Sequence, residues 1–206
     1  MKKLLLLCIF LLFSAGIAYC AVGCDLNDPD RDVIRLFPGA TGYNTYYYSI
    51  EKSGGQPLLA EIEERLGEKF KGLYETIDVP YTFYEILRGK MPVGYIHGVN
   101  QKGQYGGIQV FLSLDKKGKI MNFYVQKITS RKAGLFRDRA FAKQFEGLDL
   151  KDFSKYDIIS QKAPAGSRVN NIKSPGSDVS VDFAAVMRGV KKDLILFDEF
   201  IAKGKK

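Results

Sequence analysis

Few residues in this chain are of kinds that do chemistry unaided. It has one histidine, His97, and three cysteines, of which Cys8 and Cys20 fall in an apolar leader and only Cys24 stays with the body of the chain. One histidine and one cysteine cannot build a conventional zinc or blue-copper site. No Cys-x-x-Cys-His marks a c-type haem, and neither a Gly-x-Ser-x-Gly elbow nor a Walker-type phosphate loop occurs. His97 shares the face of a strand-like run with Tyr95 and Val99, which reads as a histidine packed in or beside a core. Asp28, Asp30 and Asp32 mimic the opening of a calcium loop. Val33 then stands where that loop needs glycine, and Gly39 where its closing glutamate belongs. Asp28 as N-cap with Pro29 at the first helical position explains the same residues more simply. Nothing here supports hydrolysis or acyl transfer, and no residue is assigned a catalytic or metal-binding role. Any chemistry must come from a borrowed cofactor.

The elements that would position such a cofactor are legible. The glycines of Gly103, Gly106 and Gly107 run into a period-2 stretch in which Ile108, Val110, Leu112 and Leu114 point one way. Gln109, Phe111, Ser113 and Asp115 point the other, so one face of the strand is expected to be buried. The turn Asp115-Lys116-Lys117-Gly118 returns the chain into a second strand, Lys119 to Ile128, making a β-hairpin. Tyr43 to Ile50, Tyr81 to Leu87 and Met91 to Val99 are also β-like. A short helix through Val33, Ile34 and Phe37 should stop at Pro38-Gly39, and Pro57 opens a helix whose Leu59, Ile62, Leu66 and Phe70 recur at helical spacing. Asp138 to Phe145 predicts a short helix carrying Phe141 and Phe145. A last helix, from about Ser180 to Phe200, gathers Phe183, Met187, Val190, Leu194 and Phe197 on one face. Ala163 to Asp178 is a long loop. The class is α+β: an antiparallel sheet of at least four strands packed with a helix in the N-terminal half and a long C-terminal helix.

The compartment follows from the leader. Lys2 and Lys3 precede the apolar run Leu4 to Ala18, and Ala21-Val22-Gly23 places small residues before Cys24. This reads as a lipoprotein signal over residues 1–23, with Cys24 lipidated and residues 24–206 forming one domain. An uncleaved anchor and ordinary cleavage are the alternatives. Each puts the domain outside the cytoplasm, on the periplasmic side of a membrane. Formal charge is +8, falling to +6 without Lys2 and Lys3. A basic exported domain suits an anionic lipid surface or an acidic partner, and nucleic acid is the wrong partner for that compartment.

The order Gly-Gln-Tyr-Gly-Gly (103–107), strand, Asp-x-x-Gly-Lys-Ile (115–120), strand resembles the core hairpin of the bacterial FMN-binding domain family. That family includes the G subunit of the Rnf complex, the C subunit of the sodium-pumping NADH:quinone reductase and the extracytoplasmic domain of the nitrous-oxide reductase regulator NosR. In it, a loop of the type His-x-Glu-Thr-Pro-Gly-Leu-Gly lies against the flavin ring. Here the matching stretch is Thr129 to Phe136, in which only Gly134 and Leu135 agree. The family attaches FMN through the threonine of Asp-x-x-Ser/Thr-Gly-Ala-Thr-x-Ser-Ser at the start of the last helix. Here Gly176 and Ser180 match, Asp178 falls on the acceptor threonine, and Ile172 falls on the leading aspartate. A carboxylate cannot form that phosphoester and repels a phosphate, which argues against covalent flavin. Gly39-Ala40-Thr41 repeats the triplet without its context, and Leu36 to Ala40 resembles the opening of the NosR-type domain, so this is a structural turn.

The resemblance implies a non-covalent FMN site made of Gln104, Tyr105, Gly106 and Gly107, Gly134 and Leu135, and the helix entry at Gly176, Ser177 and Ser180. Glycines 106 and 107 would admit the ring, Tyr105 would stack on it, and the helix N-terminus would take the phosphate. Ordinary capping by Asp178 or Ser180 explains the helix entry equally well. The implied role is an electron carrier or accessory beside a membrane redox or cytochrome complex. The alternatives are a flavin-free binding or assembly module of the same fold, and a lipoprotein of unrelated α+β fold.

Overall fold

The structure is a computed structural model and describes residues 23–205; the leader, with Cys8 and Cys20, lies outside the described residues. Helix α1 (Pro29–Leu36) begins as the sequence predicts, with Asp28 accepting from the Arg31 N–H and proline in the first turn. Asp30 accepts from the Tyr43 hydroxyl at 2.8 Å, and Asp32 pairs with Arg35 at 2.9 Å. Each carboxylate of the apparent calcium loop therefore has its own structural partner. Strand β1 (Gly42–Tyr48) follows, then a single helical turn and helix α2 (Gly55–Leu66). Gly67, at φ 85°, ends α2 in the left-handed conformation that glycine adopts without strain. Phe70 is thus not part of the helix, and the loop brings it back onto the core, its N–H donating to Glu63 at 2.8 Å.

Strands β2 (Tyr81–Arg88), β3 (Met91–Lys102), β4 (Gly107–Asp115) and β5 (Ile120–Ile128) complete a five-stranded antiparallel meander in the order β1-β2-β3-β4-β5. After short turns at Ala133–Phe136, Arg139–Lys143 and Leu150–Ser154, helix α3 (Ser180–Phe197) packs across one face of the sheet. Asp138 caps the second of these turns, and Phe141 and Phe145 both meet Phe123 of β5.

The hairpin departs from expectation in one respect. Ile108, Val110, Leu112 and Leu114 enter the core under α3, but Phe111 and Ser113 on the opposite face are buried too. Both sides of the sheet are covered. The second cover is the N-terminal segment: Cys24, Leu26, Val33, Leu36 and Phe37 pack on Tyr84, Ile86, Ile96 and Phe111. Residues 23–27 have no strand partner, so side chains reaching up from the sheet satisfy their backbone. Asn100 donates to the Gly23 carbonyl (2.8 Å), Gln126 bonds the Asn27 N–H and the Asp25 carbonyl (2.9 and 2.8 Å), and the Tyr84 hydroxyl accepts from Leu26 (3.2 Å). Ser113 and Asn122 both donate to the Leu36 carbonyl, an otherwise orphaned acceptor at the end of α1.

Two glycines make this second layer possible. Gly98 lies opposite Phe111, whose ring covers it so closely that a Cβ would sit 2.5 Å from ring carbons. Gly94 receives the Phe37 ring in the same way. Gly98→Ala should therefore destabilise the domain by about 1–3 kcal/mol through overpacking. Urea denaturation measures this, and an unchanged midpoint would show that the Phe111 ring can move away freely.

Candidate functional site

The residues singled out by sequence meet at one end of the sheet. The β3–β4 turn is closed by the Gly103 N–H on the Gly106 carbonyl at 2.8 Å. The Gln104 N–H donates to Asp182 Oδ1 at 2.7 Å, which ties the turn to the first turn of α3. Past β5, Thr129 lies against Gly106, and Leu135 lies against Gly176. Lys132 reaches Asp178 at 3.6 Å. The Gln104–Gly107 turn, the Gly134–Leu135 segment and the Gly176–Ser180 helix entry are therefore neighbours. A cleft of about 440 Å³ opens here, lined by Tyr105, Thr129, Ser130 and Arg131, with Tyr105 66% exposed.

The glycines earn their place differently from what the sequence suggested. A Cβ at Gly106 would stand 2.8 Å from Thr129 Oγ1, and one at Gly107 2.8 Å from the Tyr74 hydroxyl. Their missing side chains admit the protein's own groups, not a flavin ring. At the head of α3 the cap is Val179, with no side-chain hydrogen bond; neither Asp178 nor Ser180 serves. Ser177 and Ser180 are exposed. Asp182 is fully buried in the first turn, with one oxygen on Gln104 and the other without a partner. It already answers the positive end of the helix dipole. With Asp178 nearby, that end is poorly suited to a phosphate.

A second constellation, which the sequence did not announce, lies between α3, β3 and the loop after α2. Lys192 is 0% exposed and donates to Glu75 (2.8 Å) and to the Asn100 carbonyl (3.0 Å). Arg188 donates to Glu68 (2.7 Å), to both oxygens of Glu75 (2.6 and 3.0 Å) and to Gln101 (2.7 Å). Burial pushes the Glu75 carboxyl up, but the Lys192 charge and the Arg188 hydrogen bond more than reverse this and hold it at about 2. Burial also lowers Lys192, against the pull of Glu75. Further along β3, His97 stacks on Phe83 of the neighbouring strand β2 with centroids 3.9 Å apart, as a core histidine does. Its Nδ1 is 3.1 Å from Asp193 Oδ1, outside hydrogen-bonding geometry. Burial raises the Asp193 carboxyl, and the neighbouring His97 opposes that rise.

The sequence signal for this cluster was Arg188 and the run Lys191-Lys192-Asp193 among the apolar residues of the last helix. Among the described residues no helix is long and apolar enough to cross a membrane. No protein-family model matches the chain, and no curated protein matches it.

The Glu75 ionisation makes stability pH-dependent with a definite sign. Its folded value lies below its ordinary 4.5, so its contribution is complete above that pH and is lost as pH falls through about 2. Across that window the domain should lose roughly 3 kcal/mol through this group. Glu75→Gln should be less stable at pH 5 and show a shallower decline, as read by urea unfolding at several pH values. Parallel pH profiles for the two proteins would refute the assignment.

Proposed function

We propose that the chain is an exported, membrane-tethered domain of the FMN-binding type, working as an electron carrier or accessory beside a membrane redox complex and holding flavin reversibly. The observation that carries this is that the Gln104–Gly107 turn, the Thr129–Leu135 segment and the Gly176 helix entry are neighbours, beside a cleft that Tyr105 and Thr129 to Arg131 line. These are the three places that the family resemblance assigns to flavin contact. The residues fit one part of the group and not another. Tyr105 offers an exposed ring for stacking, Thr129 and Ser130 offer hydroxyls, and Arg131 offers a cation for a phosphate. The head of α3 does not fit, because Asp178 and Asp182 bring negative charge there. A bound flavin would supply one- or two-electron transfer; the chain's own part is to stack it, orient it and limit water.

A flavin-free binding or assembly module is the second reading, favoured by the same two carboxylates and by glycines already filled by Thr129 and Tyr74. Titration of FMN against the full chain, followed by fluorescence quenching, separates the two. Affinity should be micromolar, about −8 kcal/mol. Asp178→Thr should tighten it by roughly 1 kcal/mol, since the removed charge is solvated. No quenching at hundreds of micromolar FMN with either protein would establish the flavin-free module, and flavin fluorescence on a denaturing gel would contradict reversible binding.

The tether is the other half of the reading. Cys24 is 3% exposed in the second core, and burial pushes its thiol up. Lipidation there would require residues 23–27 to leave the sheet, exposing Leu26 and stripping partners from Asn100 and Gln126. Retention of the apolar leader as an anchor leaves that segment in place, and we favour it over the lipid. Intact mass of membrane-extracted protein should correspond to the full chain with a free Cys24. A diacylglyceryl chain beginning at Cys24 would reverse this choice.

A further inference from the structure

A second cleft of about 440 Å³, sharing no lining residue with the first, lies where the loop after α2, the end of β3 and the first turns of α3 meet. Gln101 lines it at 3% exposure. Arg188 takes its Oε1 at 2.7 Å, which fixes the amide orientation, and the Nε2 group has no acceptor among the described residues. Buried amide donors are almost always paired, so this one asks for an acceptor that the protein does not supply. Helix α3 is shaped to seat the same side chain. A Cβ at Gly189 would stand 2.9 Å from Gln101 Cγ, so the helix keeps a glycine in its interior, where alanine would favour helix formation.

The charge around the cleft points the same way. Glu75 is taken up by Arg188 and Lys192, and Glu68 by Arg188 and Lys71. Lys102 lines the cleft, is exposed and has no carboxylate partner among the described residues. Ile158, Val181 and Ala184 supply apolar wall. The volume lies within the range of small-molecule sites, which combine apolar lining with a few polar groups.

We propose that this cleft binds a small organic carboxylate with an apolar body, its oxygens accepting from Gln101 Nε2 and facing Lys102. The site is independent of the flavin reading. NMR titration of the full chain with benzoate, following the Gln101 side-chain amide, tests it against acetate, which lacks the apolar body, and benzyl alcohol, which lacks the charge. Benzoate should shift that amide saturably and bind about tenfold more tightly than either control. Gln101→Met keeps much of the stem volume and removes the donor; it should weaken benzoate about tenfold. Lys102→Ala, at an exposed position that leaves the fold alone, should weaken it several-fold. Absence of saturation by 50 mM benzoate, equal binding of benzyl alcohol, or wild-type affinity in Lys102→Ala would overturn the proposal. So would displacement of benzoate by FMN together with loss of both ligands in Tyr105→Ala, which would make the two clefts one site.

Discussion

The structure turns on an ammonium group with nowhere to go. Lys192 is fully buried between α3 and β3, and an unpaired charge there would be prohibitive. Glu75 makes it tolerable, and Arg188 keeps Glu75 ionised by a bidentate contact. Glu75 sits in a stretch without regular structure, so this triad fixes the loop after α2 against the helix. Lys191 and Asp193 extend the same problem around α3: one donates to the Tyr156 carbonyl at 2.7 Å, the other faces His97. The helix is therefore covered on nearly every side, and its polar groups are matched by the loops that cover it.

Covering both faces of the sheet has its own physical requirements. On the α3 face, aliphatic and aromatic strand residues pack directly against the helix. On the other face the layer is thin, a short helix and a few extended residues, and the sheet must hold it with side chains. Gln126, Asn100, Tyr84 and Ser113 act as hydrogen-bond posts, while Gly94 and Gly98 leave flat ground for two rings. Arg35 lies over the Tyr124 ring at 4.0 Å and closes the edge of that layer.

At the loop end the same economy has a functional consequence. Close approaches that a glycine-rich turn might offer a cofactor are used by Thr129 and Tyr74, and the helix dipole is met by Asp182. What remains open is side-chain surface: Tyr105, Ser130 and Arg131 around one cleft, Gln101 and Lys102 in the other. Reversible ligands suit such surfaces better than a covalently held one.

Local periodicity and punctuation determined the elements. The α1 cap at Asp28, the strands from β2 to β5, and the start of α3 near Ser180 were legible because each depends on residues close in sequence. The neighbourhood of Gln104–Gly107 and Gly176–Ser180 was legible only through the family resemblance. Tertiary structure decided the rest. Phe111 looked solvent-facing because alternation says which residues share a face, not what lies on it; a segment some 80 positions earlier covers it. The burial of Lys191, Lys192 and Asp193 could not be read from the last helix, because sequence does not show which loops fold over it. Gly106 and Gly107 advertised room, and only the folded chain says that Thr129 and Tyr74 occupy it. Each of these is a contact between residues far apart in the chain, where spacing carries no information and only packing chooses the partner.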